Sequence, residues 1–511
     1  MRRPALGLTV LLAAGVIVAC VQAASYPAPP AAKGQGPYLV VTRPMFLRAV
    51  APLAGYRRAE GLGVVVSAEP VDQAIRSCGV RPAMILLVGD DQGTESSREP
   101  WFLPARRAGF YRWRSTQRQD IPSDALWGDL DGDGLPDVPV GRLPVRTAAQ
   151  AAALVAKIIS YESRPPSLED LTIPIWAGSG QWGSAADLLA GALLTGGLER
   201  LAPRWVQPWI IFGSADSPFC HWPLAQARAF QDQFRRGGAL IFLIGHGTRR
   251  HFYSMDFGGR MIGYDAAAAS ATLAEGTPAG PMVILACYCG DFAGSDDCLA
   301  EALLKAPGGP VAVIAAATES HPLPNYFSAQ AVAAAWGQGH RRLGEFWLAA
   351  QRDAYRAQNP LIEAMLAEVE GTLEARIDTD RLRRDQMLLY ALLGDPATRL
   401  KLPQPLHGQL RYADGRWHWR VERPADADAL HVSFRPAGQK LPPPSPLTDQ
   451  ATAEQTHHAA NAVYAFQPVT VLNKDQPWEG TIDAAGTLRL VAVGASTIYA
   501  AGLPLAQPSA P

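Results

Sequence analysis

Two stretches decide the fold: Leu240-Ile241-Phe242-Leu243-Ile244-Gly245-His246-Gly247, and further on Met282-Val283-Ile284-Leu285-Ala286-Cys287-Tyr288-Cys289-Gly290. Each opens with an apolar run of buried-strand length and breaks at glycine beside a reactive side chain. Comparable runs lie at Thr172 to Trp176, Trp209 to Phe212 and Pro310 to Ala316, and helices are expected near 184–196, 223–236 and 298–306. Strands alternating with helices make a parallel sheet covered on both faces. In an open parallel sheet, ligands collect outside the carboxyl ends of the strands, so His246 and Cys287 share one crevice.

That pairing suits acyl transfer. A thiol is only a few per cent ionised at neutral pH; a neighbouring imidazole raises that fraction and later protonates the leaving group. Gly245 and Gly247 let the backbone pass close to a substrate, and the amides of Gly247 and Cys287 are the candidates to hold an oxyanion. Cys289 is the rival thiol. His251 is the rival base, without flanking glycines, while His221 and His321 sit beside Trp or Pro as surface or capping histidines.

At these residues the chain resembles the gingipain family of cysteine peptidases, relatives of the caspases, clostripain and legumain. The blocks that carry the resemblance are Gly245-His246-Gly247, Ala286 to Phe292 and Cys298 to Leu303. Val311 to Ala315, the upstream Asp137 to Arg142 and the closing Gly394-Asp395-Pro396 complete them, in family order. The resemblance implies that His246 is the catalytic histidine and Cys287 the nucleophile. It also implies a Glu near the histidine, but Ile175 to Gly183 contains no acid; Gln181 is the candidate to orient His246 as an amide, and otherwise a dyad works alone. The family's acidic residue for basic side chains has no counterpart, so an Arg or Lys preference does not carry over.

The chain has 511 residues, enough for about three domains. Its 46 basic and 47 acidic residues give a formal net charge of -1 and no field for nucleic acid. Met1-Arg2-Arg3 followed by apolar Ala5 to Ala19 reads as an export signal, too short for a spanning helix. Two exits compete: cleavage after Ala23, or a lipobox ending before a lipidated Cys20 that would attach the protein to a membrane. Export places the protein in the bacterial periplasm, the cell envelope or the medium. It also puts Cys78, Cys220, Cys287, Cys289 and Cys298 in an oxidising setting, where two disulfides among all but Cys287 leave the nucleophile free; the alternative is five buried thiols. The short distance from the leader to the first strand leaves no room for a long propeptide, so latency is expected to come from a loop or from calcium.

Residues 24–36 form a Pro-rich linker. A first α/β unit over 37–170 has strands at Tyr38, Val64 and Met84; Asp90 and Asp91, at a strand end, read as a solvated turn, with the lining of a cleft as the alternative. The catalytic α/β unit covers 171–402, with a loop from Thr248 to Gly280. The resulting fold class is α/β, two caspase-like doubly wound subdomains with parallel sheets, followed over 403–511 by a β-sandwich, which the family implies to be immunoglobulin-like. Within the sandwich, 449–460 reads as a loose loop and Trp417 and Trp419 as core. In Asp129-Leu130-Asp131-Gly132-Asp133-Gly134-Leu135-Pro136-Asp137, the acids at positions one, three, five and nine with Gly at six match the start of a calcium loop, Leu135 lending its carbonyl. Val140 replaces the bidentate Glu, so a structural calcium or an acidic turn are the two readings.

The expected function is an exported cysteine endopeptidase acting on protein or peptide substrates through a Cys287–His246 dyad, without a catalytic cofactor; a transpeptidase would use the same residues. The alternatives are an inactive peptidase-like scaffold and a zinc-binding protein using Cys287, Cys289, Cys298 and His246.

Overall fold

A computed structural model describes residues 36–93, 96–111, 118–179, 196–197, 199–360 and 378–506. The leader with Cys20, nearly all of the linker, Gln181 and most of the helix expected near 184–196 lie outside the described residues.

Ten strands form one sheet: β1 Tyr38–Thr42, β2 Val64–Ser67, β3 Met84–Val88, β4 Val140–Leu143, β5 Thr172–Gly178, β6 Gln207–Gly213, β7 Ile241–Ile244, β8 Met282–Leu285, β9 Val313–Ala316 and β10 Tyr390–Leu393. Their spatial order is β2-β1-β3-β4-β10-β9-β8-β7-β5-β6. The two α/β units thus share a continuous sheet, joined where Leu393 pairs with Arg142. Because β10 runs parallel to β4 but antiparallel to β9, the strands of the first unit run opposite to those around His246 and Cys287. Side-chain alternation builds two core layers: Ile241, Leu243, Met282 and Ile284 enter one, Phe242, Val283 and Leu285 the other.

Helix Ala148–Ser163 starts at a capping box, Thr147 with Gln150, and contributes Glu162 to the seam between the units. There Arg57, fully buried, donates to Glu162 at 2.6 and 2.8 Å, to Asp395 of the Gly394-Asp395-Pro396 block at 2.7 and 3.1 Å, and to Glu60 at 2.8 Å. Tyr38 Oη donates to the other Asp395 oxygen at 2.9 Å. The last block of the family pattern is thereby a structural clamp.

Three sequence expectations need correction. Asp90 and Asp91 are not in a solvated turn; both are fully buried, paired with Arg146 at 2.7 Å and Arg107 at 3.1 Å. The Thr248–Gly280 stretch is a hairpin, His251–Phe257 with Arg260–Asp265, followed by helix Ala266–Thr272. Its glycines mark the turn at Gly258-Gly259, where both residues have positive φ. The supposed loose loop at 449–460 is helix Gln450–Ala462, capped by Asp449. Its polar composition hides a buried stripe of Ala453, His457, Ala460 and Asn461 at helical spacing.

That helix covers edge strand β6. Asn461 accepts from Ile210 N at 2.7 Å and donates to Ile210 O at 3.0 Å, replacing the missing neighbour strand. The C-terminal region, into which this helix is inserted, holds a five-stranded and a three-stranded sheet around Trp419, Leu430, Val432, Leu488 and Leu490. Trp419 is core, as expected, and Trp417 packs partly buried against it.

Candidate active site

The register of β7 and β8 sets Ile244 level with Leu285, and the Gly245 amide donates to Leu285 O at 3.1 Å. His246 and Cys287 each stand two residues farther on. Parallel strands lie about 4.8 Å apart, so the two residues reach the same edge side by side, in the same phase of alternation. A Cβ added at Gly247 would lie 2.7 Å from Cys287 O and 2.6 Å from Cys289 Sγ. Only glycine lets the histidine turn close on the thiol loop.

After Cys287 the chain reverses. Tyr288 has φ 60°, a left-handed conformation uncommon outside glycine, held by its amide bond to Thr318 O at 2.9 Å. The reversal sends Cys289 into the opposite core layer, where its Sγ contacts Thr248 O at 3.5 Å and His251 O at 3.7 Å. Burial pushes the Cys289 thiol up, away from ionisation. Cys298 is likewise buried, at the start of helix Leu299–Lys305. Cys287 alone of the three is only partly buried. All five described cysteines are free, so the expected disulfides do not form.

His246 is exposed and pairs with Tyr253 across a short antiparallel ladder. The rival base is engaged elsewhere: His251 Nε2 lies 2.7 Å from Asp265, and its ring stacks on Tyr253 at 5.8 Å. His321 caps helix Pro322–Ala335 by accepting the Leu323 amide at 3.2 Å, the capping role expected of it. Cys287 itself meets Ser320: the Ser320 amide lies 3.4 Å from Sγ, the carbonyl 3.5 Å and the hydroxyl 3.8 Å. Sequence reading missed Ser320, since nothing local links positions so far apart. Its one signal is its place just past the end of β9, the neighbour of β8.

Among the described residues, the one cluster of three such side chains whose ligand atoms converge is Asp129, Asp131 and Asp137, within 4.8 Å of one another. The zinc set of Cys287, Cys289, Cys298 and His246 does not converge, because Tyr288 turns Cys289 away. Asp133 also stands outside the acidic group, accepting the Leu135 amide at 2.8 Å. The loop is bound from outside as well, by Arg81 to Asp137 at 2.9 Å and by Arg384 to Asp133 O at 2.7 Å.

The profile of peptidase family C25 matches residues 31–401, most of the chain. The chain belongs to peptidase family C25. This is the gingipain family of cysteine peptidases, and the membership supports a cysteine peptidase. Among solved structures, the C25 chain is similar to the Arg-specific cysteine proteinase gingipain R, at 16% identity and TM-score 0.52, covering 94% of this chain and 99% of that one. The complex of the Porphyromonas gingivalis RgpB pro- and mature domains matches at 14% identity and TM-score 0.50, covering 92% and 100%. A structure described only as a protease matches at 12% and 0.53, covering 92% and 98%. At such identities these likenesses establish the caspase-like fold alone. No curated protein matches the sequence.

Proposed function

We propose that this C25 peptidase is an exported cysteine endopeptidase with Cys287 as nucleophile and His246 as base and acid. The observation that carries the reading is the contrast between two neighbouring thiols: Cys287 is partly open at the strand edge it shares with His246, and Cys289 is sealed in the core. A ring nitrogen of His246 takes the Cys287 proton, and the thiolate attacks the peptide carbonyl carbon. The amides of Gly247 and Cys287 hold the resulting oxyanion. The C–N bond then breaks as His246 returns the proton to the leaving amine. Water, deprotonated by His246, attacks the acyl-enzyme; the peptide acid leaves and the thiol is restored.

Export rests on the charged and apolar leader, with cleavage after Ala23 or lipid at Cys20 as its two outcomes. Among the described residues no helix is long and apolar enough to cross a membrane. A structural calcium at Asp129, Asp131 and Asp137 is part of the proposal; its double charge would offset the crowded carboxylates and fix the turn before β4.

The test is labelling of the full chain with an iodoacetamide probe, comparing Cys287→Ala with Cys289→Ala. Loss of labelling and peptide hydrolysis only in Cys287→Ala supports the reading. Equal labelling of the two variants sinks the assignment, and labelling without hydrolysis leaves the inactive scaffold.

A further inference from the structure

Behind the Cys287 sulfur lies a run of polar side chains that the dyad does not use. Ser320 is buried, and its Oγ accepts from Asn325 Nδ2 at 3.0 Å. Asn325 Oδ1 accepts twice, from Tyr390 Oη at 2.8 Å and from Gln386 Nε2 at 2.9 Å. Gln386 Nε2 also donates to Ser328 Oγ at 3.0 Å. Tyr390 starts β10, opposite Ala316 of β9, and burial pushes its phenol up so that it stays protonated and donates.

With Tyr390 and Gln386 both donating to Asn325 Oδ1, its N–H occupies the acceptor side of the Ser320 hydroxyl. The hydroxyl's own proton then has two acceptors in reach, Cys287 Sγ at 3.8 Å and the oxygen of Tyr390, and the Ser320 amide already points at the sulfur. The Ser320 carbonyl acts oppositely: at 3.5 Å it accepts from the thiol S–H and repels a thiolate. Amide and hydroxyl together outweigh it, since hydrogen bonds to a charged acceptor are roughly twice as strong as neutral ones.

We propose that Ser320 holds the Cys287 thiolate through its amide and hydroxyl, and that Asn325, Gln386 and Tyr390 are positioning residues that aim the hydroxyl at sulfur. The inference rests on Cys287 being the nucleophile. It gives the site a source of thiolate stabilisation on the sulfur side, in a chain whose segment 178–183 has no acid to assist the histidine. The ionised sulfur keeps its electron pair, and its proton goes to His246. Other titratable groups nearby are Cys289 and Tyr390, both held protonated by burial, with Glu319 and His321 flanking Ser320.

A competing arrangement turns both amides over. Gln386 Oε1, buried without a partner as the network stands, would then accept from Asn325, and Asn325 Oδ1 would draw the Ser320 proton away from sulfur. The two arrangements differ in the pH profile of Cys287 alkylation, followed on its peptide by mass spectrometry in the full chain. With Ser320 aimed at sulfur, Ser320→Ala moves the midpoint to higher pH by about one unit, a tenfold slower reaction below it. Peptide kcat falls while KM holds, and Ser320→Thr, which keeps the hydroxyl, retains the wild-type midpoint. Gln386→Met, which removes a donor to Asn325 without touching Ser320, gives a smaller shift of the same sign and covers the case in which Ser320→Ala fails to fold. An unshifted midpoint in a folded Ser320→Ala, or in Gln386→Met if that alone folds, overturns the inference while leaving the dyad intact. Absence of Cys287 alkylation in the wild type would instead overturn the underlying peptidase reading.

Discussion

Two polar clusters of this molecule are built to opposite ends. At the seam of the sheet, Arg57 is sealed from water and every nitrogen is spent on Glu60, Glu162 or Asp395. At the edge formed by β7 and β8, His246 is exposed and, among the described residues, the Cys287 sulfur hydrogen-bonds Ser320. Saturation makes the first cluster rigid and chemically silent. The second stays partly open, as the proposed thiol chemistry requires.

The contrast breaks if the edge proves dispensable. Cys287→Ala should lower peptide hydrolysis by on the order of 10⁴-fold or more, with the melting temperature nearly unchanged; a large stability loss would mean that the edge is structural too. The seam should behave the other way. Arg57→Met leaves Glu162 and Asp395 buried without their cation, and denaturant unfolding should show a loss of about 3–5 kcal/mol. The fraction that stays folded should still label at Cys287.

A third buried polar site sharpens the comparison through pH. Burial, aided by the charge of His221, holds His457 well down, to about 3, while its Nε2 meets Ile210 O at 2.9 Å. The unfolded chain takes up that proton near the ordinary histidine value, so the stabilisation is complete above about pH 6.5 and is lost as pH falls toward 3. Between pH 7 and 4.5 the loss is about 3 kcal/mol, and His457→Gln should flatten this acid limb in melting curves. The smallest effect belongs to the acidic turn. Calcium in excess over a chelator should raise stability by about 1–3 kcal/mol, with the gain absent in Asp131→Asn. No shift with calcium would reduce the loop to an arginine-bound turn.

Much of the site was legible because its signals are local. A buried strand ending in Gly245-His246-Gly247 and another ending in Ala286-Cys287 declare an edge, and parallel pairing brings such edges together. That Cys289 is sealed in the core while Cys287 stays partly open was not local, since it turns on the φ of Tyr288, which spacing does not encode. Asp90 and Asp91 were misread for a related reason: a strand-end acid looks solvated until Arg107 and Arg146 arrive from elsewhere in the chain. The helix at Gln450–Ala462 was overlooked because its buried stripe includes His457 and Asn461, polar residues that become core only by bonding the edge of β6.

By itself the sequence determined the strand and helix alternation, the order of the family blocks and the residues able to do thiol chemistry, because hydrophobic periodicity and short motifs are properties of neighbouring residues. The tertiary structure alone decided that both α/β units share one sheet, that Cys289 faces away from Cys287, and that Ser320, Asn325 and Tyr390 stand in line behind the sulfur. Those facts are contacts between segments far apart in the chain, and only packing the two faces of the sheet fixes them.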